Sequence, residues 1–211
     1  EDTRRTAILL RHYGIATPTR SYHAHNERQR TPNLIRALES GQSVALVSDA
    51  GTPLLSDPGR TLVAKALSQG ISVTGVPGPS AVLNALVSSG LAETEFTFLG
   101  FPPNRSQRRK TWLGTIRNEP RPFVIFESPH RIVALLGDMM EVLGDREIAV
   151  CREMTKIHEE LARGPISTVL PLVSFKKGEF SIVVSPKQTA PIRSFNIIDS
   201  RLDIEGALSF V

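Results

Sequence analysis

Residues 44–59 read Val-Ala-Leu-Val-Ser-Asp-Ala-Gly-Thr-Pro-Leu-Leu-Ser-Asp-Pro-Gly, and no other stretch restricts the fold as much. Val44 to Val47 form a short apolar run of the kind that fills a buried strand. They lead into a turn of small and rigid residues, Asp49, Ala50, Gly51, Thr52 and Pro53, where a ligand can lie against bare main chain. Asp57-Pro58 then opens a helix, with an acceptor at the cap and proline at the first helical position. A strand that ends in an open polar loop before a helix is where open α/β sheets bind ligands. The loop has neither the Gly-x-Gly-x-x-Gly spacing of dinucleotide folds nor the Lys-Ser/Thr ending of a phosphate loop. Its ligand is therefore not an ordinary phosphate clamped by a glycine-rich turn.

Strand and helix patterns alternate around this unit. Residues 3–13 read as a helix, and Thr31-Pro32 opens a second that stops at Gly41. Strand 44–48 is followed by a helix from Pro58 to about Gln69, with Leu62, Val63, Ala66 and Leu67 as its core-facing stripe. Residues 71–76 read as another strand, and Pro77-Gly78-Pro79-Ser80 launches a helix to Gly90. This rhythm predicts a parallel sheet with right-handed crossovers. After a linker at 91–95 come strand 96–99, strand 122–126, a helix from Pro129 to Leu143 and strand 147–151. Residues 165–175 and 179–185 read as an antiparallel pair. The expected organisation is an α/β domain over 1–91, a second over 92–185, and a tail over 186–211 with no strong period. A cleft between two such domains is a frequent ligand site.

Composition narrows the class. The chain has 211 residues, 40% hydrophobic and 22% charged, which fits an ordinary globular protein. It contains no apolar run long enough to span a membrane, so no membrane partner is expected. The single Cys151 excludes an internal disulfide and a cysteine zinc cluster, and suits a reducing cytoplasm. The five histidines show no metal-ligand spacing, so no metal is expected. The sequence starts at Glu1 without a signal peptide, and reads as internal to a chain whose first strand lies upstream. Residues 105–121 carry six basic residues and one acidic residue, a larger surplus than the net +4 of the whole chain. A solvated helix face explains such a run, and so does a phosphate-bearing partner.

Seven short motifs occur in a fixed order: Glu1-Asp-Thr-Arg4, His23-Ala-His-Asn-Glu27, Ser48-Asp-Ala-Gly-Thr-Pro53, Ser56-Asp-Pro-Gly59, Val76-Pro-Gly-Pro-Ser-Ala81, Glu127-Ser-Pro-His-Arg131 and Arg152-Glu-Met-Thr-Lys156. Together they resemble the tetrapyrrole methylase fold, and within it the ribosomal RNA small subunit methyltransferase I family, over roughly residues 1–185. The resemblance implies two α/β domains with S-adenosylmethionine in the cleft between them, and a homodimer. It also implies methyl transfer to the 2′-hydroxyl of a cytidine in small-subunit ribosomal RNA, free or in a 30S-type particle. The family's first strand, with its Thr-Pro-Ile-Gly-Asn loop, does not occur in this sequence.

The residues fit such chemistry. Thr52 offers a hydroxyl, and Gly51 permits close approach. Ser80 and Ala81 sit at a helix start, whose free N–H groups suit a carboxylate. Asp49, Ala50, Pro53, Leu55 and Pro79 complete the expected cofactor loops, although Pro77-Gly78-Pro79 alone is also a plain turn. Gly100 and Met154 are further cofactor candidates, Met154 as a cover for the adenine or simply as core filling. A ribose hydroxyl needs a base, worth roughly 10²–10⁴-fold. Asp2, His23 and Glu127 are the leading candidates, beside His25, Asp49 and His130. Glu127 has an equally plain role as the partner of Arg131 or Arg152. Arg105, Arg108, Arg109 and Lys110 are the expected phosphate contacts. Two other readings stand beside this one: a tetrapyrrole methylase acting on a ring carbon, and a non-catalytic RNA-binding protein.

Overall fold

The computed structural model describes residues 2–174 and 177–187, so most of the expected tail lies outside the described residues. The chain divides into two compact units, Glu1–Ser80 and a second beginning at Ala81.

The first unit holds helices α1 (Thr3–His12), α2 (Glu27–Glu39) and α3 (Arg60–Ser68). Asp2 caps α1 by accepting the Arg4 backbone N–H, and Arg11 and His12 occupy its last turn, where cations suit the helix dipole. The second helix starts four residues earlier than Thr31-Pro32 suggests, because Thr31 turns inward, its hydroxyl bonded to the Glu27 carbonyl. Pro32 therefore lies inside the helix. Tyr22, Ile35, Leu62 and Ala66 form a thin core, to which Leu62 and Ala66 contribute the buried half of the expected stripe. The expected strands 44–48 and 71–76 belong to no ladder among the described residues. A parallel strand is held by hydrogen bonds to neighbours on its flanks. Neither segment is part of such a ladder among the described residues, and their apolar side chains stay partly exposed, with Val76 at 89%.

The second unit is built on a mixed five-stranded sheet. Its strands are β1 (Thr97–Gly100), β2 (Phe123–Glu127), β3 (Glu147–Arg152), β4 (Glu160–Pro165) and β5 (Phe180–Val184). They lie in the order β1-β2-β5-β3-β4. Only β1 and β2 pair in parallel, and the other neighbours are antiparallel. The central strands are apolar on both faces. Phe123, Ile125, Ile148, Val150, Ile182 and Val184 face a core shared with α5 (Ser106–Thr115), α6 (Ile132–Leu143) and α7 (Ile166–Val173). The intervening Val124, Ala149, Cys151 and Val183 pack with Val82, Ala85 and Leu86 of α4 (Ala81–Ser89). Alternation along each strand thus supplies two cores, one per face. It also sets the boundary between units: α4, expected at the end of the first domain, is bound to the second unit's sheet, and the division falls at Ser80/Ala81 rather than at 91/92.

The expected strand 165–175 does not form over the described residues 166–174. Residues 166–173 are helix α7, with Ile166, Val169 and Val173 on the buried side at helical spacing. Its first turn is anchored by Asp145, which accepts from Ser167 N at 2.8 Å and Ser167 Oγ at 2.6 Å. The partners of β5 are instead β2 and β3, and Pro165 closes β4, an edge strand, where it is tolerated.

Candidate active site

In the first unit, three sequence candidates meet in one hollow. Asp2, Thr3, Ser21, His23 and Asp49 line a cavity of about 350 Å³. The Asp2 backbone N–H donates to Asp49 Oδ1 at 2.8 Å, tying the start of α1 to the 49–59 turn. The Asp2 carboxylate also receives Arg4 Nε at 3.0 Å and Arg4 Nη2 at 2.7 Å. Hydrogen bonding from Arg4 holds this carboxyl down at about 2, below its usual value of 3.8.

His23 is held by Asn26 at two points. Asn26 Oδ1 accepts the His23 backbone N–H at 2.8 Å, so its amide nitrogen faces His23 Nε2 at 3.0 Å and also donates to the Ser21 carbonyl. Nε2 is then an acceptor, and the neutral ring carries its proton on Nδ1. That Nδ1 is buried and finds no partner among the described residues. His25 stacks edge-on against His23, with ring centroids 5.9 Å apart.

The two small-residue bends also meet. Thr52 Oγ1 donates to the Pro79 carbonyl at 3.0 Å, across 27 residues of sequence. Ala50, Gly51, Thr52, Leu55, Pro79 and Ala81 are exposed, while Pro53 and Ser80 are half-buried. A Cβ added at Gly51 or Gly78 would meet nothing within 4 Å, so the main chain there is open to a ligand. Exposed amides and carbonyls beside bends with little side-chain bulk fit the adenine edge and amino-acid end of S-adenosylmethionine.

In the second unit, the C-terminal ends of β1, β2 and β3 lie at one edge of the sheet. Glu127 of β2 and Arg152 of β3 both register with Phe180 of β5. Gly100 ends β1 at φ 67°, after a register shift between Phe98 and Gly100. Met154 follows β3 between two left-handed residues, Glu153 and Thr155, and packs partly buried against the α4 side of the sheet. The carboxyl edge of a sheet is the usual ligand side.

Glu127 has no exposed side-chain surface. Its Oε1 accepts Ser128 N at 2.8 Å, and Arg131 Nη2 lies 3.0 Å from its Oε2. Burial raises its carboxyl above the ordinary glutamate range, against the lowering effect of Ser128 N–H and Arg131. Arg131 in turn donates to the Pro102 carbonyl at 2.7 Å and to Asn104 Oδ1, so the pair fixes the loop after β1.

The basic segment separates into two kinds of residue. Arg109 is buried, its Nε and Nη2 both on Asp138 Oδ2 at 2.7 and 2.5 Å. Lys110 pairs with Glu141 at 2.5 Å and lies 3.8 Å from Asp138. Arg105 and Arg108 are exposed. Of the four expected phosphate contacts, the structure leaves two facing solvent and places Arg109 inside a structural ion pair. Sequence reasoning missed Asn26, whose signal was its place in the His-Ala-His-Asn-Glu motif, and Asp138, for which the sequence holds no signal. The described residues contain no cluster of metal-ligating side chains. No described helix is long and apolar enough to cross a membrane.

Comparison with known proteins agrees with this geometry. The family model for Tetrapyrrole (Corrin/Porphyrin) Methylases matches residues 1–170. Proteins named ribosomal RNA small subunit methyltransferase I are similar along most of the chain. The one from Synechocystis sp. is 44% identical over 88% of this chain and 67% of its own length. The one from Thermotoga maritima is 43% identical over 89% and 85%, and that from Vibrio cholerae is 41% identical over 100% and 78%. Among solved structures, a diphthine synthase superposes with a TM-score of 0.64 at 15% identity, covering 84% of this chain and 72% of its own. Uroporphyrin-III C-methyl transferase from Thermus thermophilus, complexed with S-adenosyl homocysteine, gives 0.56 at 17% identity, covering 82% and 80%. At such identities these two structures show the shared fold alone. The chain belongs to the ribosomal RNA small subunit methyltransferase I family of the tetrapyrrole methylases.

Proposed function

We propose that this chain transfers the methyl group of S-adenosylmethionine to the 2′-hydroxyl of a cytidine in small-subunit ribosomal RNA. The observation that carries the donor site is the junction of the two bends through Thr52 and Pro79. The donor supplies an electrophilic methyl group on its own sulfonium. The protein's work is to bind, align and keep water away from the reacting atoms. Residues 49–53, Leu55 and 79–81 are the proposed donor contacts of the two bends, and Gly100 and Met154 are further proposed contacts.

The geometry separates the three candidates for the proton step. Asp2, held low by Arg4, is a weak base and serves better to position α1 against Asp49. His23 presents a proton on Nδ1 and a lone pair already taken by Asn26, which suits it to donate a hydrogen bond. Glu127, raised by burial, is the more basic of the two carboxylates. If it takes the proton, kcat falls as pH drops through the raised Glu127 value, and the limb lies above that of an ordinary glutamate. Glu127→Gln removes this limb, whereas Asp2→Asn leaves it in place. A limb unchanged by Glu127→Gln assigns the base elsewhere.

RNA enters as the acceptor on two grounds: relatives at 41–44% identity are named for it, and Arg105 and Arg108 stand exposed beside the start of α5. The tetrapyrrole reading is supported by the shared fold, with structures such as two tetrapyrrole-type methyltransferases at 17% identity. Methyl transfer to deproteinised small-subunit RNA, to 30S-type particles and to a tetrapyrrole panel decides between them. The RNA reading requires label in one of the first two only. Homodimer formation and a cytoplasmic location belong to the same proposal, and sedimentation tests the former.

A further inference from the structure

The turn after residues 44–48 takes an expensive path. Four of its residues are left-handed: Gly51 (φ 68°), Leu54 (φ 72°), Ser56 (φ 67°) and Gly59 (φ 129°). Leu54 and Ser56 are not glycine, so both are strained, and such strain persists only where the surroundings dictate it. Leu55 and Ser56 are exposed and Leu54 is 37% exposed, so side-chain burial alone does not dictate the turn.

Polar anchors hold it instead. Asp2 N fastens Asp49 and the Pro79 carbonyl fastens Thr52, as described above. The far end is fastened by Glu27, from a different helix. Glu27 Oε1 accepts Gly59 N at 3.3 Å and Thr61 N at 3.2 Å. Tyr22 Oη donates to the same oxygen at 3.1 Å, and Tyr22 is itself buried and 2.8 Å from Thr31 Oγ1. The cap of α3 is Gly59, which has no side chain to offer, so the carboxylate of Glu27 supplies the acceptor that a serine or aspartate cap ordinarily provides. Gly59 is closely packed as well: a Cβ there would fall 2.4 Å from Leu46 Cδ2.

We propose that Glu27 is a positioning residue for methyl-donor binding: it latches the end of the 49–59 turn, keeps the turn in its strained form, and so presents the Ala50–Pro53 main chain without touching the donor. This rests on the reading that residues 50–53 contact S-adenosylmethionine. A residue that only capped α3 would change stability and leave donor affinity alone.

Calorimetric titration of the full chain with S-adenosylhomocysteine tests the latch. The wild type binds. Glu27→Leu, which removes an ionised acceptor from two backbone donors, weakens binding by about tenfold or more. Glu27→Gln keeps an oxygen at the same reach and stays within about threefold of wild type. Adding Ser56→Gly to Glu27→Leu restores much of the lost affinity, because glycine adopts positive φ without strain. In kinetics, Glu27→Leu raises KM for the donor while kcat at saturating donor and KM for RNA hold. Unchanged affinity in Glu27→Leu, with only a lower melting midpoint, overturns the proposal and leaves Glu27 as a helix cap. Should Glu27→Leu not fold, Tyr22→Phe takes its place: a twofold or larger weakening supports the latch, and wild-type affinity overturns it. A wild type that fails to bind S-adenosylhomocysteine is a different result, since it removes the donor site itself.

Discussion

Arg108 and Arg109 are adjacent and chemically identical, yet the fold exposes one and buries the other. Arg109 is 4% exposed and its charge is met by Asp138. Breaking a buried pair strands the partner's charge, at a cost of about 3–5 kcal/mol. Arg109→Ala should therefore lower unfolding free energy by about 3 kcal/mol in urea titration. Arg108→Ala should leave stability within about 0.5 kcal/mol and weaken RNA binding, lowering its salt slope by about one. Equal stability loss in both would contradict this division. Asp2 gives a second test. Its folded value is depressed to about 2 from 3.8, so its contribution is present above the unfolded value and lost as pH falls through the folded one. The difference in melting midpoint between wild type and Asp2→Asn should hold steady above about pH 5 and close toward pH 2. A difference that persists at pH 2 would show that Arg4 is not its cause. The sequence revealed the basic run but not its division, because Asp138 lies 29 residues from Arg109 and only folding brings them together.

Elements were legible where one pattern dominated. α6, β2 and β3 follow their apolar spacing, whereas α3 starts at Arg60 with Gly59 as its cap instead of at Asp57-Pro58, and α1 forms where expected but buries none of its residues. The misreading at 165–175 has a definite cause. Ile166-Ser-Thr-Val-Leu-Pro-Leu-Val173 is rich in β-branched residues, which suggests a strand, and its proline argues against a helix interior. Tertiary packing outweighs that propensity, because the sheet's face takes Ile166, Val169 and Val173 and Asp145 anchors the first turn. Asp145→Ala should cost about 1 kcal/mol through loss of this cap, measured by thermal unfolding. A neutral result would place the helix's stability in its apolar face alone. Segments 44–48 and 71–76 show the converse: their composition suits buried strands, but a ladder is a property of two segments, and among the described residues neither belongs to one.

The whole molecule combines two units of unequal character. The second has a sheet with a core on each face, and the first has a core of four buried apolar residues, from Tyr22, α2 and α3, to which α1 adds none. Motif order in the sequence carried the family. It did not carry the means by which distant loops are joined, since Thr52 to Pro79, Asp2 to Asp49 and Glu27 to Gly59 each span more than 25 residues. The central claim is that two bends of nearly bare main chain, joined by Thr52 and Pro79, bind the sulfonium donor. A crystal structure of the protein with S-adenosylhomocysteine tests it most directly. The account predicts ligand atoms within hydrogen-bond reach of main chain in both 50–53 and 79–81. Ligand bound with neither segment in contact would contradict it.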